Sequence, residues 1–352
     1  MNLKIVVLAG GLSTERAVSL VTGTGICRAL RERGHRAVFL DLFLGIENPP
    51  GDLSALFDAE DGLCPDAKIE TTAPDLEAVR RSRQDQSPRV FGPHVLELCQ
   101  LADIVFLGLH GQDGEDGRIQ AALELLGVPY TGSGYLASGI AMDKAVSKRM
   151  MDACGIPTPP WQLLHYAPED AERLAWELPC GVIKCTTGGS SLGVFLPETR
   201  EEMRTALLEV RRFGGEVLWE RRITGRELTV AVLGDRALPA VETVPAGKDF
   251  DYAAKYQKGG AAETCPADLT EAEAAAAGAL ALKTHRALGL SVYSRTDMIL
   301  DGDGKLWCLE VNSLPGMTPT SFVPQEAAAA GMSYGELCDE IVRLSLDIRR
   351  RD

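Results

Sequence analysis

The feature that most constrains this chain is a β-hairpin pattern in the stretch Tyr293–Met317, YSRTDMILDGDGKLWCLEVNSLPGM. Apolar and β-branched runs flank a turn of alternating Asp and Gly at Asp301–Gly304, and such clusters favour tight turns between paired strands. The stretch therefore predicts two antiparallel strands joined by a short turn, and the rest of the chain can be organised around them.

The register of this hairpin decides which side chains face the same way. An even-length turn predicts Asp297 opposite Cys308 and Arg295 opposite Glu310. Because side chains alternate between faces, one face is predicted to carry Arg295, Asp297, Glu310 and Asn312. Two carboxylates and an amide oxygen suit Mg²⁺ with substrate phosphates, and the guanidinium suits a phosphate or an oxyanion. An exposed face with a cross-strand Arg–Glu pair is the alternative, but the added Asn and the Pro-Gly pair that follows favour a metal site.

Length and composition indicate a globular protein with two or three domains. The chain has 352 residues, of which 45% are hydrophobic and 24% charged. Its net charge of −14 argues against non-specific nucleic-acid binding, although nucleotides can still bind through local Lys, Arg and backbone N–H groups. No apolar run approaches the roughly 20 residues that span a bilayer. The N-terminus does not match a signal peptide, and the nine cysteines lack disulfide or zinc spacing, so we expect a cytoplasmic protein without membrane association.

The first part of the chain has the pattern of an open α/β domain. A buried strand at Lys4–Leu8 leads through a Gly-rich turn into a helix at about Thr14–Arg33, and further strands are predicted at Ala37–Asp41 and Ile104–Leu107. The GxGxxG motif is absent, so a Rossmann dinucleotide site is excluded. Residues 45–93 are rich in Pro and charge and predict a surface excursion with short local elements.

Two residues in this part allow alternative interpretations. Glu15 lies in the first turn of the first helix, where a carboxylate commonly complements the helix dipole. It could also face the ammonium group of a ligand, but position alone favours the dipole. His110 begins a loop that is dense in Gly and acidic residues directly after a strand, where open α/β sheets place functional groups. A loop cap and a ligand contact are equally compatible with its position.

The middle of the chain contains a candidate phosphate-binding loop. A helix is predicted at Ala137–Cys154, and a short strand ending at Lys184 precedes the Gly/Ser loop Thr186–Gly193. Small residues let backbone N–H groups approach phosphates, and the lysine supplies a point charge. A plain hairpin loop is the alternative. Capping boxes predict three later helix starts, at Thr199 with Glu202, Thr270 with Glu273, and Ser333 with Glu336.

The motifs, taken together and in order, resemble those of the D-alanine–D-alanine ligases of the ATP-grasp superfamily. They are LAGGLSTERAVS, LHGQDGEDGRIQ, PYTGSG, MDK, GGSSLG, GRELTV, DYAAKY, RTDMIL and LEVNSLPGMTPTSFVP, between residues 5 and 324. No Walker A motif or protein-kinase signature set is present. The resemblance implies an N-terminal α/β domain at residues 1–135, a central ATP-grasp lid at 136–222 and a C-terminal catalytic domain at 223–352. ATP would bind between the last two.

The resemblance also implies roles for particular residues. Lys144 and Lys184 would bind ATP phosphates, and Glu220 and Glu227 would bind the adenine and ribose. The implied ligands of two Mg²⁺ (or Mn²⁺) ions are Asp297, Glu310 and Asn312. The residues implied for the first D-alanine and for closing the site are Glu15, His110, Ser190 and Tyr256. Contacts to the transferred phosphate, the oxyanion and the second D-alanine are implied for Lys255, Arg295, Gly316, Ser321 and Phe322.

The activity implied by the resemblance is ligation of two D-alanines through an acyl phosphate, for peptidoglycan precursor synthesis, by a homodimer. A tyrosine at position 256 is similar to the residue found there in the dipeptide-forming members of the family. A D-alanine–D-lactate ligase, another dipeptide ligase and a non-catalytic nucleotide or amino-acid binding relative remain alternatives. The sequence departs from the family pattern at Cys185, Gly188 and Arg221, where Pro, Glu and Lys are usual.

Overall fold

Three β-sheets and the helices packed on them make up the fold, which a computed structural model describes for residues 2–68, 74–189, 193–214, 216–245 and 261–349. The first sheet is parallel, and the other two are antiparallel. Within these ranges, no helix has the length and apolar content needed to cross a membrane. The predicted α/β class is confirmed.

The parallel sheet lies in the N-terminal part and has the strand order β2-β1-β3. Its strands are β1 (Lys4–Ala9), β2 (Arg36–Asp41) and β3 (Ile104–Leu107), and helix α1 (Arg16–Glu32) packs on β1 and β2. Nearly every residue of these strands is buried, as is usual for parallel strands covered on both faces. The strands and the helix predicted for this part are therefore confirmed to within a few residues.

Between β2 and β3 the chain forms short elements, as predicted for residues 45–93. They are a 3₁₀ turn at Leu53–Asp58, α2 (Leu76–Ser82) and α3 (Val95–Gln100). The guanidinium of Arg83 organises this segment, because it is buried and donates hydrogen bonds to the backbone carbonyls of Phe43, Asp85 and Arg89 at 3.2, 2.6 and 3.0 Å. The side chain of Arg83 thus supplies hydrogen bonds to loop carbonyls that have no partner in a helix or strand.

The next helices are α4 (Arg118–Leu125), α5 (Tyr135–Met142) and α6 (Lys144–Ala153). The single helix predicted for Ala137–Cys154 is wrong, because the chain bends at Asp143, which has φ −88° and ψ 107°. The carboxylate of Asp143 accepts hydrogen bonds from the N–H groups of Ala145 and Val146 and so caps α6. Lys144 therefore begins α6 instead of lying within a continuous helix.

A four-stranded antiparallel sheet with the order β4-β7-β5-β6 follows. Its elements are β4 (Trp161–Leu164), α7 (Ala171–Glu177), β5 (Val182–Cys185), β6 (Val194–Phe195), α8 (Arg200–Glu209) and β7 (Val217–Glu220). The predicted capping box at α8 is confirmed, since the Glu202 N–H donates to the Thr199 hydroxyl at 3.2 Å. Strand β4 was not predicted, because its four residues are too few to show a period.

The largest sheet is antiparallel, with the order β11-β10-β8-β12-β13 and β9 beside β8. Its strands are β8 (Gly225–Leu233), β9 (Arg236–Ala237), β10 (Val241–Pro245), β11 (Ala261–Thr264), β12 (Tyr293–Asp301) and β13 (Leu306–Asn312). The associated helices are α9 (Glu271–Ala287), α10 (Phe322–Ala329) and α11 (Tyr334–Arg349). The capping boxes predicted at the starts of α9 and α11 are confirmed.

The predicted hairpin is formed by β12 and β13, but its register differs by two positions from the prediction. Asp297 lies opposite Glu310, and Arg295 lies opposite Asn312. The predicted even-length turn is wrong: the Asp301 N–H bonds the carbonyl of Lys305, which encloses the three residues 302–304. The last of these, a glycine, has a φ of 77°, as odd hairpin loops of this length require.

A β-bulge restores the face that the odd turn would have reversed. Met298 pairs with Cys308 and the next pair is Asp297 with Glu310, so Leu309 is an extra residue in β13. If Leu309 paired with Asp297 in a regular ladder instead, Glu310 would point to the side of the sheet where Cys308 is buried. The prediction that Arg295, Asp297, Glu310 and Asn312 share one face is therefore confirmed, although the predicted turn length and register are wrong.

Among the residues that the structure describes, hydrophobic side chains form three buried clusters. One surrounds the parallel sheet and includes residues of α11, such as Leu337 and Ile341. A second fills the space between α9 and the largest sheet and includes Ala137 of α5 and Met151 of α6, and a third lies in the four-stranded sheet. The domain boundaries implied by the resemblance stay a prediction.

Burial of His285 predicts that the fold loses stability in mild acid. This side chain on α9 is buried against β12, and its Nδ1 lies 2.7 Å from the Ser294 hydroxyl. Burial, with a smaller effect of Arg286, lowers the pKa of His285 to about 4. The unfolded chain therefore binds the proton first as pH falls from about 6.5, and the free energy of unfolding should decrease by roughly 3 kcal/mol by about pH 4.

Chemical denaturation of the wild type and of His285→Gln at pH 7 and pH 4 measures this loss. The acid-induced decrease should be smaller in His285→Gln by most of that amount. The matched control is His165→Gln, which removes an exposed imidazole and should leave the decrease unchanged. Equal acid-induced decreases in the wild type and His285→Gln would show that His285 contributes nothing.

Candidate active site

A cleft of about 890 Å³ is bounded by residues of both antiparallel sheets and by loops of the N-terminal part. Its lining contains these residues predicted from the sequence: Glu15, His110, Lys144, Lys184, Glu220, Glu227, Arg295, Asp297, Glu310, Asn312, Gly316, Ser321 and Phe322. Ser190, Lys255 and Tyr256 lie outside the described residues. The fold thus gathers side chains that are up to about three hundred positions apart in the sequence.

The carboxylate of Asp297 forms the centre of the hairpin face. Arg295 donates to both of its oxygens, from Nε to Oδ1 at 3.0 Å and from a terminal nitrogen to Oδ2 at 2.8 Å. The Thr229 hydroxyl on β8 donates to Oδ1 at 3.0 Å, and the Asn312 amide nitrogen lies 3.4 Å from Oδ2. These contacts fix the carboxylate plane and hold it opposite Glu310.

The donor set of this face fits a divalent cation that is shared with phosphates. In the described part of the chain, no three His, Cys, Asp or Glu side chains cluster closely enough to hold a metal by themselves. Two carboxylates and one amide oxygen leave coordination positions for phosphate oxygens and water, which is the usual arrangement for Mg²⁺. The face therefore suits Mg²⁺ bound together with a nucleotide rather than a closed structural site.

Lys144 connects this face to the Gly/Ser loop. Its Nζ donates to the carbonyl of Gly188 at 2.8 Å and lies 3.8 Å from Oε2 of Glu310. Its backbone N–H donates to the carbonyl of Thr186 at 2.8 Å. Because α6 begins at Lys144, this side chain projects from a helix start that the loop contacts directly.

A buried cluster of charges lies further into the cleft. Oε1 of Glu220 is 2.9 Å from Nζ of Lys184 and 3.3 Å from Nζ of Lys148, and all three side chains are buried. Burial opposes the charge on Lys184, but the carboxylates of Glu220 and Glu310 outweigh it and raise its pKa. Burial, with repulsion from Lys184, lowers the pKa of Lys148 despite the attraction of Glu220. Two lysines on one carboxylate give a pocket that suits an anion.

Lys148, which is buried behind the cleft lining and contacts Glu220, was not identified from the sequence. It lies four residues after Lys144 on α6, so the two project from the same side of the helix. That spacing could have indicated it, but an isolated helical lysine is most often exposed. Its Nζ also donates to the Thr158 hydroxyl at 2.6 Å, which anchors α6 to the linker before β4.

Glu15 and His110 lie together at the other end of the cleft, and both are buried. A Cβ atom placed on Gly111 or on Gly189 would come within 2.9 or 3.0 Å of Oε2 of Glu15. The glycines thus allow two loops, one of them the Gly/Ser loop, to approach this carboxylate closely. Nε2 of His110 is 3.0 Å from the Thr22 hydroxyl, which orients the ring.

The segment after the hairpin completes the lining near Arg295. The Phe322 ring centroid lies 5.4 Å from the guanidinium carbon of Arg295. Ser321 precedes α10, and its hydroxyl accepts from the Thr318 N–H at 3.1 Å. A Cβ on Gly316 would come within 2.8 Å of that hydroxyl. A helix start beside a guanidinium suits a carboxylate ligand.

Two antiparallel sheets that enclose a cleft, with Lys184 from one and Asp297 and Glu310 from the other, define an ATP-grasp protein. Solved structures agree with this class. The chain is similar to the D-alanine–D-alanine ligase of Bacillus anthracis complexed with ATP, with a TM-score of 0.73, 29% identity and 99% of each chain covered. It is also similar to the Coxiella burnetii ligase of the same name, with a TM-score of 0.74, 27% identity, and 99% of this chain and 95% of that chain covered.

The chain belongs to the D-alanine–D-alanine ligase family. The family models described as D-ala D-ala ligase N-terminus and C-terminus match residues 4–133 and 150–343. A D-alanine–D-alanine ligase of Pediococcus pentosaceus is 41% identical over 341 residues, with 97% of each chain covered. One of Oleidesulfovibrio alaskensis is 40% identical over 348 residues, with 98% of this chain and 97% of the relative covered. The resemblance found in the motifs is confirmed.

Proposed function

We propose that this protein ligates two D-alanine molecules to D-alanyl-D-alanine and converts ATP to ADP and phosphate. The observation that carries the proposal is the convergence at the hairpin face, where Arg295 holds Asp297 at 2.8 Å and Lys144 reaches to 3.8 Å from Glu310. This arrangement offers cations and carboxylates in a cleft large enough for a nucleotide. The names of the relatives at about 40% identity support the substrate.

The nucleotide would lie between the two antiparallel sheets. In this proposal, Lys144 and Lys184 bind the phosphates, and Glu220 and Glu227 contact the adenine and ribose. The residues that would hold two Mg²⁺ (or Mn²⁺) ions are Asp297, Glu310 and Asn312. Bound there, the ions would neutralise phosphate charge during transfer.

The first half of the reaction begins with a D-alanine held by Glu15 and His110. Its carboxylate oxygen attacks the γ-phosphorus of ATP, the bond to the β-phosphate oxygen breaks, and ADP and an acyl phosphate form. The lysines contribute mainly positioning and charge neutralisation, since phosphoryl transfer needs little covalent participation from the protein.

The second half joins the two substrates. The second D-alanine, held through its carboxylate by Ser321 beside Phe322, loses an ammonium proton and attacks the acyl carbon. Arg295 and the Gly316 N–H stabilise the tetrahedral oxyanion, which collapses to the peptide and releases phosphate. Water must be excluded from the acyl phosphate, so the lid must close before transfer.

Three residues outside the described ranges complete the proposed site. Ser190 and Tyr256 would form a hydrogen-bonded set with Glu15 that closes the site, and Lys255 would contact the transferred phosphate. Tyr256 supports D-alanine over D-lactate as the second substrate. We further propose that the enzyme works in the cytoplasm as a homodimer and supplies a peptidoglycan precursor.

Release of ADP and phosphate from purified protein, ATP and Mg²⁺ tests the proposal. Both products should appear only when D-alanine is present, with about one phosphate per dipeptide. A panel of L-alanine, D-lactate and other D-amino acids should give little product. ADP release that does not depend on D-alanine would indicate a nucleotide-binding relative. Formation of mainly depsipeptide from D-alanine and D-lactate would contradict D-alanine as the second substrate.

A further inference from the structure

Glu326 on α10 is a buried carboxyl group that no step described above uses. Its side chain is inaccessible to solvent, and Oε2 accepts a hydrogen bond from the backbone N–H of Ala231 at 2.5 Å. Its other oxygen, Oε1, finds no hydrogen-bond partner within the described ranges. Such a group is costly to bury, so its position calls for a physical reason.

The N–H of Ala231 lies at a gap in the sheet. Beside β8, strand β9 ends at Ala237 and β10 begins at Val241, and the intervening Leu238 N–H bonds the carbonyl of Ala231. The carboxyl of Glu326 supplies the acceptor that the Ala231 N–H would otherwise lack. In the pairing of β8 with β12, Ala231 lies directly opposite Arg295. Glu326 therefore joins α10 to the strand position beside the guanidinium.

The same helix contacts Arg295 at its first turn. Phe322 lies four residues before Glu326, so both project from one side of α10. The Phe322 ring packs 5.4 Å from the guanidinium carbon of Arg295, while Glu326 bonds the neighbouring strand. These two contacts determine where the start of α10, with Ser321, lies relative to Arg295.

We propose that Glu326 is a positioning residue that holds the second-substrate subsite at Ser321 and Phe322 against Arg295. The identity of that substrate rests on the proposed function, but the link between α10 and β8 does not. Charged and titratable groups near Glu326 are Arg295 and Asp297 on β12 and Cys265 after β11. Burial raises the pKa of Glu326 well above its ordinary value, so glutamine is the matched neutral replacement.

Glu326→Leu and Glu326→Gln separate this role from a purely structural one. Leucine fills the space but cannot accept from the Ala231 N–H, whereas glutamine can. In Glu326→Leu, the KM for the second D-alanine should rise about tenfold, while the KM for ATP and for the first D-alanine changes less than about twofold and kcat less than about threefold. Glu326→Gln should restore all four values to within about twofold of the wild type.

Several outcomes would overturn the proposal. One is a wild-type KM for the second D-alanine in Glu326→Leu. Another is a rise of that KM in Glu326→Gln as large as in Glu326→Leu. A third is a lowered melting temperature of Glu326→Leu together with equal losses in kcat and in all three KM values. If Glu326→Leu does not fold, Glu326→Asp replaces it, because its side chain is one methylene shorter. Glu326→Asp should raise the KM for the second D-alanine, whereas Glu326→Gln should not. A wild-type value of this KM in Glu326→Asp would overturn the proposal.

A second readout keeps this proposal separate from the proposed function. Hydrogen exchange of the backbone around Ala231 should be faster in the leucine variant, or in the aspartate variant if that is used, and unchanged in Glu326→Gln, whether or not the wild type ligates D-alanine. Unchanged exchange in the variant that lacks the contact would overturn the link between α10 and β8. Failure of the wild type to release ADP with D-alanine would overturn only the proposed function.

Discussion

Replacing Arg295 with methionine is expected to lower kcat for dipeptide formation by about 100- to 1000-fold, the usual effect of removing one oxyanion donor. The guanidinium holds both oxygens of Asp297 and packs on Phe322, so it lies between the metal face and the second-substrate subsite. The KM for ATP should change less than about threefold, since the interaction is made mainly in the transition state. Steady-state phosphate release measures both constants.

Two further variants sharpen this test. Arg295→Lys keeps the charge but lacks the planar pair of donors that binds both oxygens of Asp297, so its kcat should lie between those of the wild type and Arg295→Met. Arg343→Met is the matched control, because Arg343 pairs with Glu340 and Asp347 at the surface of α11. It should retain wild-type kcat. A kcat for Arg295→Met within about fivefold of the wild type would contradict an oxyanion role.

Replacing Asp297 with asparagine is expected to lower activity by about 100-fold at fixed Mg²⁺ and to raise the Mg²⁺ concentration that gives half-maximal rate. The substitution keeps the size of the side chain but removes a charge whose interaction with a catalytic metal is worth several kcal/mol. The new amide nitrogen would also face the guanidinium of Arg295, which already donates to that carboxylate. Mg²⁺ titrations of phosphate release, with ATP in excess, measure both effects.

The control for this substitution comes from the same hairpin. Asp303 is exposed in the turn between β12 and β13, and Asp303→Asn removes one carboxylate without touching the site face. Its Mg²⁺ dependence should match that of the wild type. Removing divalent ions with a chelator should abolish activity in every variant. An Asp297→Asn enzyme with the wild-type Mg²⁺ midpoint and rate would contradict metal binding at this face.

Strong local patterns in the sequence predicted most of the fold correctly. The apolar strands of the parallel sheet and the three capping boxes carry their signals within a few residues, so β1 and the starts of α8, α9 and α11 agree with the structure. The break at Asp143 could not be seen the same way, since the apolar spacing continues across it. The hydrogen bonds that the Asp143 side chain accepts in the folded chain end one helix and start the next, and they cannot be read from the spacing.

The candidate site was predictable where its residues share one hairpin, and less so where distant segments meet. Alternation places Arg295 with Asp297 and Glu310 with Asn312, but whether the two strands share that face depends on the odd turn and the bulge, which the sequence did not predict. Lys148 and Glu326 lie in ordinary helical patterns, and their burial depends on Glu220 and Ala231, which come from other strands. No periodicity in one segment carries that information. The roles assigned to Ser190, Lys255 and Tyr256 stay predictions.

The extra residue Leu309 makes the hairpin face depend on how the two strands pair as well as on residue identity. If Leu309 were deleted, the bulge would be lost but Glu310 would still lie opposite Asp297 in a regular ladder, so the site face would be kept. Insertions at the tip, around Gly302, leave the strand ends where they are. Across descendants of this sequence, the tip can therefore gain or lose residues, whereas a residue lost between Lys305 and Glu310 leaves Glu310 opposite Asp297 only if the bulge is lost with it.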